Sequence, residues 1–144
     1  MTKKVCCMMS LFMVIAMMLT GCGAVLTDAS NLTQYELGDD LIPSITSVVG
    51  ERKVTGVESS IENGVVTKQY TYSSTSVYDD LWTYVQELMN DGWLVTQDID
   101  LNVIPGSGQL GKGSIEEGQI LLVSFSYEES SYTIKLVKGK GTIE

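Results

Sequence analysis

Histidine is absent from all 144 residues. That absence removes the commonest general base, the commonest metal-ligating side chain and every Ser-His-Asp arrangement. Cysteine is nearly absent as well. Cys6 and Cys7 lie in the first apolar stretch, Cys22 stands just behind it, and none follows, so the chain beyond residue 22 has neither a thiol nucleophile nor a disulfide. Basic residues are few, nine against 18 acidic ones. Binding a polyphosphate requires clustered Lys and Arg, so nucleic acid is not an expected partner. The same balance disfavours electrostatic adhesion to anionic headgroups or an anionic wall. Long hydrophobic runs are also missing: Val5 to Leu19, broken only by Ser10, is 15 residues, short of the roughly 20 that span a bilayer as a helix.

What the first residues do contain is a leader. Lys3 and Lys4 precede the apolar run, and Leu19-Thr20-Gly21-Cys22 ends it. A basic n-region, an apolar h-region and small residues before a cut are the parts of a secretory signal. The four closing residues resemble the bacterial lipobox. That resemblance implies that the Cys22 thiol receives a diacylglyceryl group, that cleavage removes residues 1–21, and that Cys22 then anchors the chain to a membrane. Two acyl chains hold stably where one holds marginally, because each buried methylene contributes about 0.8 kcal/mol. With the leader gone, seven basic residues face all 18 acidic ones, a net charge of −11. The lipid, not electrostatics, would do the holding.

Residues 22–44 mix Thr, Asp, Ser, Asn and Gly with the single Pro43 and show no sustained apolar period, so they read as a tether with a random-coil span of about 25 Å, with short order around Leu37 to Ile42 left open by the sequence. The folded part is expected over 45–144. Residues 47–61 are rich in Val and Ser, Asn63-Gly64 follows, and VVTKQYTY runs from Val65 to Tyr72. Asn-Gly between two β-prone runs predicts a hairpin, since a type I′ turn needs positive φ at both central residues. Ser73 to Ser76 offer N-cap hydroxyls, Asp79 and Asp80 would face the positive end of the helix dipole, and Val77, Leu81, Tyr84, Val85 and Leu88 recur at helical spacing. Asn90-Asp91-Gly92 stops that helix. Its polar face carries acids where a membrane-binding helix would carry Lys and Arg, so its apolar stripe is expected to pack on a sheet.

From Trp93 the period becomes two: Trp93, Val95, Ile99 and Leu101 against Thr96, Asp98 and Asp100. Another pair of strands is expected after 102–118, with Leu121, Val123, Phe125 and Tyr127 on one face, then Tyr132, Ile134 and Leu136. The expected fold is α+β: a single antiparallel sheet of about five strands, in the order β-β-α-β-β-β, with one amphipathic helix on one face.

The stretch PGSGQLGKGS, Pro105 to Ser114, mimics nucleotide motifs. It satisfies G-x-G-x-x-G at Gly106, Gly108 and Gly111, and misses the phosphate loop pattern because Gly113 stands where a hydroxyl belongs. A dinucleotide fingerprint needs a helix after it, whereas GQILLVSFSY, Gly118 to Tyr127, alternates as a strand. We read 102–118 as a flexible connection whose backbone amides, with Lys112, would at most cradle an anion. Asp98 and Asp100, with Glu116 or Glu117, would be the carboxylates for a calcium ion or an acid pair, but alternating Asp on a solvent face is ordinary edge protection. No catalytic residue, cofactor or metal is expected. Tyr78 and Trp82 lie off the helix stripe and, with Lys112, form the expected interaction surface.

Together the lipobox residues and YTYSSTSVYDDLWTYVQELMNDGW resemble small lipoproteins of Gram-positive bacteria. The resemblance implies a tethered extracytoplasmic domain at the cell membrane and carries over no functional residue beyond Cys22. The first functional reading is a non-catalytic binding or interaction domain, with a protein or cell-envelope partner. An accessory of solute capture and a carboxylate-based cell-wall hydrolase are the alternatives. A polar-lined closed pocket would favour the former, and paired carboxylates with raised pKa values the latter.

Overall fold

The structure, a computed structural model, describes residues 29–143. The expected signal segment and the lipobox residues Leu19, Thr20, Gly21 and Cys22 lie outside the described residues. The elements run in the order β1 (Gln34–Leu37), β2 (Asp40–Pro43), α1 (Ile45–Val49), β3 (Lys53–Glu62), β4 (Val65–Ser73), α2 (Val77–Asn90), β5 (Leu94–Gln97), β6 (Gly106–Gly113), β7 (Gln119–Tyr127) and β8 (Ser131–Lys140). β1 and β2 form a separate two-stranded sheet. The other strands make one antiparallel sheet of six, ordered β3-β4-β8-β7-β6-β5. The α+β class is as expected, and the single sheet of about five strands is corrected to these two sheets.

The hairpin at Asn63-Gly64 forms as the sequence predicts. Both turn residues have positive φ, 52° and 78°, and Glu62 pairs with Val65. The helix also forms where expected, and α2 buries Val77, Leu81, Tyr84, Val85 and Leu88. Beneath it lie the inward residues of the central strands: Tyr70 and Tyr72 of β4, Val123 and Phe125 of β7, Ile134 and Leu136 of β8. Alternate residues of the same strands, Thr71, Gln69, Thr133, Lys135 and Ser124, line the other face. There Thr71 and Thr133 hydroxyls lie 3.1 Å apart, and Gln109 donates to Ser124 at 2.7 Å. One face packed and one solvated is the usual state of an antiparallel sheet.

Three segments depart from expectation. The tether does not extend to residue 44: Tyr35, Leu37 and Ile42 of the β1–β2 hairpin are fully buried in the same core as α2. Each strand is only four residues long, too short to display a period amid Thr, Asp and Gly. Residues 45–49 are helical rather than extended, because Ser44 accepts from the Ser47 amide at 3.0 Å and starts α1. The strand expected over 93–101 stops at Gln97, where the chain leaves the sheet edge. Val95 is exposed, and Asp98 and Asp100 share no strand.

The largest correction falls on the glycine stretch, which is β6 and not a loop. Gly106 pairs with Tyr127 and Gly108 with Phe125 across β6 and β7. A Cβ on Gly108 would come within 2.7 Å of both Phe125 Cζ and Ile99 Cγ1. One on Gly106 would collide with the Tyr127 ring. Aromatic rings from the neighbouring strand occupy the space these glycines leave, so the G-x-G spacing is the period of a strand.

Candidate interaction surface

Two buried ionic clusters hold the added hairpin and α2 to the sheet. In the first, Asp80 points inward from α2. Arg52 donates to both carboxylate oxygens at 2.7 Å, Ser74 donates at 2.6 Å, and Tyr132 donates at 3.0 Å. The Ser74 hydroxyl also accepts from the Ser76 amide at 3.0 Å. Ser76, the N-cap residue, makes no side-chain capping bond. Burial pushes the Asp80 carboxyl up, but Arg52, Ser74 and Tyr132 together outweigh it and hold the group below its ordinary value.

The second cluster centres on Lys138, which continues the inward phase of Tyr132, Ile134 and Leu136 on β8. Its ammonium lies 2.7 Å from Asp40 Oδ2, contacts Glu116 and donates to the Leu37 carbonyl at 3.4 Å. Asp40 also accepts from Ser114 Oγ at 2.6 Å and from the Ile115 amide at 2.9 Å. Burial again pushes Asp40 up, and these donors bring it below its ordinary value. Between the clusters runs a row of tyrosines. Tyr35 and Tyr70 stack with ring centroids 4.7 Å apart, and the Tyr35 and Tyr72 hydroxyls lie 2.8 Å apart. Burial raises Tyr72 to about 12 and Tyr35 well above its ordinary value.

Arg52, Asp80, Asp40 and Lys138 do not stand out in the sequence as sites, and Glu116, expected as a carboxylate for calcium or an acid pair, is instead a partner of Lys138. The signal was their phase. Lys138 continues an inward alternation, and Asp80 is three residues after Val77 on the buried side of α2, both places where an ion requires a partner.

The expected surface residues fall in two places. Tyr78 and Trp82, four apart on α2, share its outer ridge and are 47% and 52% exposed. Lys112 is elsewhere. Its ammonium donates to the Asp91 carbonyl at 2.7 Å and pairs with the Asp91 carboxylate at 3.2 Å, capping the C-terminal end of α2, where a cation suits the helix dipole. Asp91 is nine residues beyond Trp82, about 14 Å along the axis, so the structure does not bring Lys112 to the aromatic pair. Gly106 to Gly113 belong to β6, paired with β7 along the whole stretch and with β5 at Gln109 to Gly111, so their backbone is that of a strand and not of an anion-cradling loop.

The suggested carboxylate group is also dispersed. Asp100 Oδ1 accepts from the Asn102 amide at 3.0 Å, while Glu116 is engaged by Lys138. Among the described residues, no group of three or more His, Cys, Asp or Glu is placed to hold a metal ion. A polar cavity of about 340 Å³ opens beside the first cluster, bounded by Glu51, Arg52, Lys53 and Ser73 to Ser76. No helix among the described residues is long and apolar enough to cross a membrane. Compared with known proteins, the chain matches no family model, no curated protein and no solved structure.

Proposed function

We propose that this protein is a lipid-anchored extracytoplasmic lipoprotein, held to the cell membrane through Cys22, whose domain works by binding rather than by catalysis. The observation that carries the binding half is the Tyr78–Trp82 pair, half exposed on a helix whose other large side chains are mostly buried. The anchor half rests on the lipobox resemblance of Leu19-Thr20-Gly21-Cys22. One feature supports binding over hydrolysis: the carboxylates suggested for an acid pair are dispersed, Asp98 and Asp100 sharing no strand, Asp100 accepting from the Asn102 amide and Glu116 engaged by Lys138.

Intact mass and fractionation test the anchor directly, with the wild type beside Cys22→Ala in a bacterial host. The wild type is expected to partition with membranes, lose residues 1–21 and gain a diacylglyceryl group, while the variant does none of these. Identical behaviour of the two would remove Cys22 as the anchor.

A further inference from the structure

Beside its buried stripe, α2 carries a second one. At about 100° per residue, Tyr78, Trp82 and Met89 fall within about 40° of one another around the axis and span about 16 Å along it. Met89 is 46% exposed, much like the other two, so three large apolar side chains run in single file through solvent. The far flank of the helix is already occupied. There Asp80 takes the Arg52 guanidinium, and the Tyr84 hydroxyl donates to the Pro43 carbonyl at 2.9 Å. Both residues lie at least about 120° round the axis from the exposed stripe, which therefore points away from α1 and β2.

Charge borders this ridge on one side only. Residues 77–90 contain Asp79, Asp80 and Glu87 and neither Lys nor Arg. The two cations that reach the helix are already engaged, Arg52 by Asp80 and Lys112 by Asp91. Asp79 and Glu87 are exposed and have no ion-pair partner among the described residues. An apolar ridge thus runs beside carboxylates that the domain itself leaves unneutralised.

We infer that this ridge docks a cationic amphipathic helix of another protein. The inference rests on the binding reading above and names the chemistry of the partner at that surface. Trp82 and Met89 are one heptad apart and Tyr78 stands four residues before Trp82, the phase of a helix-on-helix seam. Trp and Tyr are the side chains that concentrate binding energy at interfaces, and their ring faces attract Lys and Arg. Asp79 and Glu87 meet the cations that flank the partner's apolar seam, and that complementarity sets which helices are accepted. A second copy of this chain is a poor occupant, because two such helices set carboxylate against carboxylate. An anionic bilayer is repelled for the same reason.

The test uses the full-length chain, processed in a bacterial host and reconstituted in phosphatidylcholine vesicles, titrated with a synthetic helix bearing Leu on one face and Lys on the other. Protein-free vesicles give the blank, and a helix with Glu in place of Lys is the control. Wild type should bind the Lys helix and not the Glu helix. Trp82→Ala should weaken that binding at least about tenfold. Asp79→Asn combined with Glu87→Gln should weaken it and reduce its salt dependence. All three positions are exposed, so these variants should fold as wild type does. Failure of wild type to bind the Lys helix, or binding unchanged in Trp82→Ala, overturns the docking site. Equal binding of both helices overturns the cationic partner. Concentration-dependent dimerisation in sedimentation that Trp82→Ala abolishes makes a second copy the occupant and overturns it too. Intact mass of the same samples judges the Cys22 anchor separately, so loss of the ridge contact leaves the anchor standing, and a missing diacylglyceryl group removes the anchor without altering what the titration reads.

Discussion

Gly108 on β6 lies opposite Phe125 on β7, and the ring fills the volume that a side chain on Gly108 would need. The stretch that mimics a nucleotide motif is thereby a strand shaped by its neighbour's aromatic residues. Gly106 repeats the arrangement two residues earlier beneath Tyr127.

Adding one methyl at Gly108 should therefore cost about 1–3 kcal/mol through overpacking. Gly113 ends the same strand with nothing within 4 Å of its would-be Cβ, so Gly113→Ala should stay within about 0.5 kcal/mol of wild type. Urea midpoints for the two variants decide this. Equal stability would mean that the Phe125 ring does not occupy the Gly108 site.

The same glycines explain why part of the fold was illegible in the sequence. Period-two patterning is read from side chains, and the inward positions Gly106 and Gly108 have none; the information sits on β7, in Phe125 and Tyr127. β1 and β2 were hidden because a four-residue strand offers only two inward positions. By contrast, Asn63-Gly64 and the α2 stripe were legible, since each depends on local backbone conformation or on a period repeated over several turns. The outward placement of Tyr78 and Trp82 followed from that stripe. The role of Lys112 did not, because it depends on a contact with Asp91, 21 residues away.

Acid should weaken the fold through Asp40 and Asp80. Both have folded pKa values below their unfolded ones, so their contribution is complete above the ordinary carboxylate range, near pH 4. It is lost as pH falls through the depressed folded values. Asp80→Asn should start roughly 2–4 kcal/mol less stable at neutral pH, the cost of breaking a buried pair moderated by the partial exposure of Arg52. It should then lose less on acidification than wild type does. Denaturant titrations of both proteins from pH 7 to pH 2 measure the difference, and parallel curves would remove Asp80 as a source of acid sensitivity.

Alkali should act through the tyrosine row. Tyr72 rises from 10.0 to about 12 in the fold, first through burial and despite its bond to Tyr35. Its stabilisation is complete below the unfolded value near 10 and disappears as pH climbs to the folded value. At 1.36 kcal/mol per unit, Tyr72 alone should remove about 3 kcal/mol over that window. Tyr35 and Tyr84, also raised by burial, should add to the loss. Tyrosinate absorbance and circular dichroism monitored together from pH 9 to pH 13 should show ionisation of these groups coinciding with loss of structure. Early ionisation in a folded protein would contradict their burial.

Where the tether ends can be settled by truncation. A chain starting at residue 29 keeps the β1–β2 hairpin and should unfold cooperatively, like the longer protein. A chain starting at residue 45 loses Tyr35, Leu37 and Ile42, each worth about 1.5–3 kcal/mol when fully buried. It also leaves Lys138 without Asp40, its close buried partner. The summed loss approaches the whole stability of a typical domain, about 5–15 kcal/mol, so this chain should show no cooperative transition in thermal or urea unfolding. If it instead folds as well as the longer one, residues 29–44 are dispensable after all.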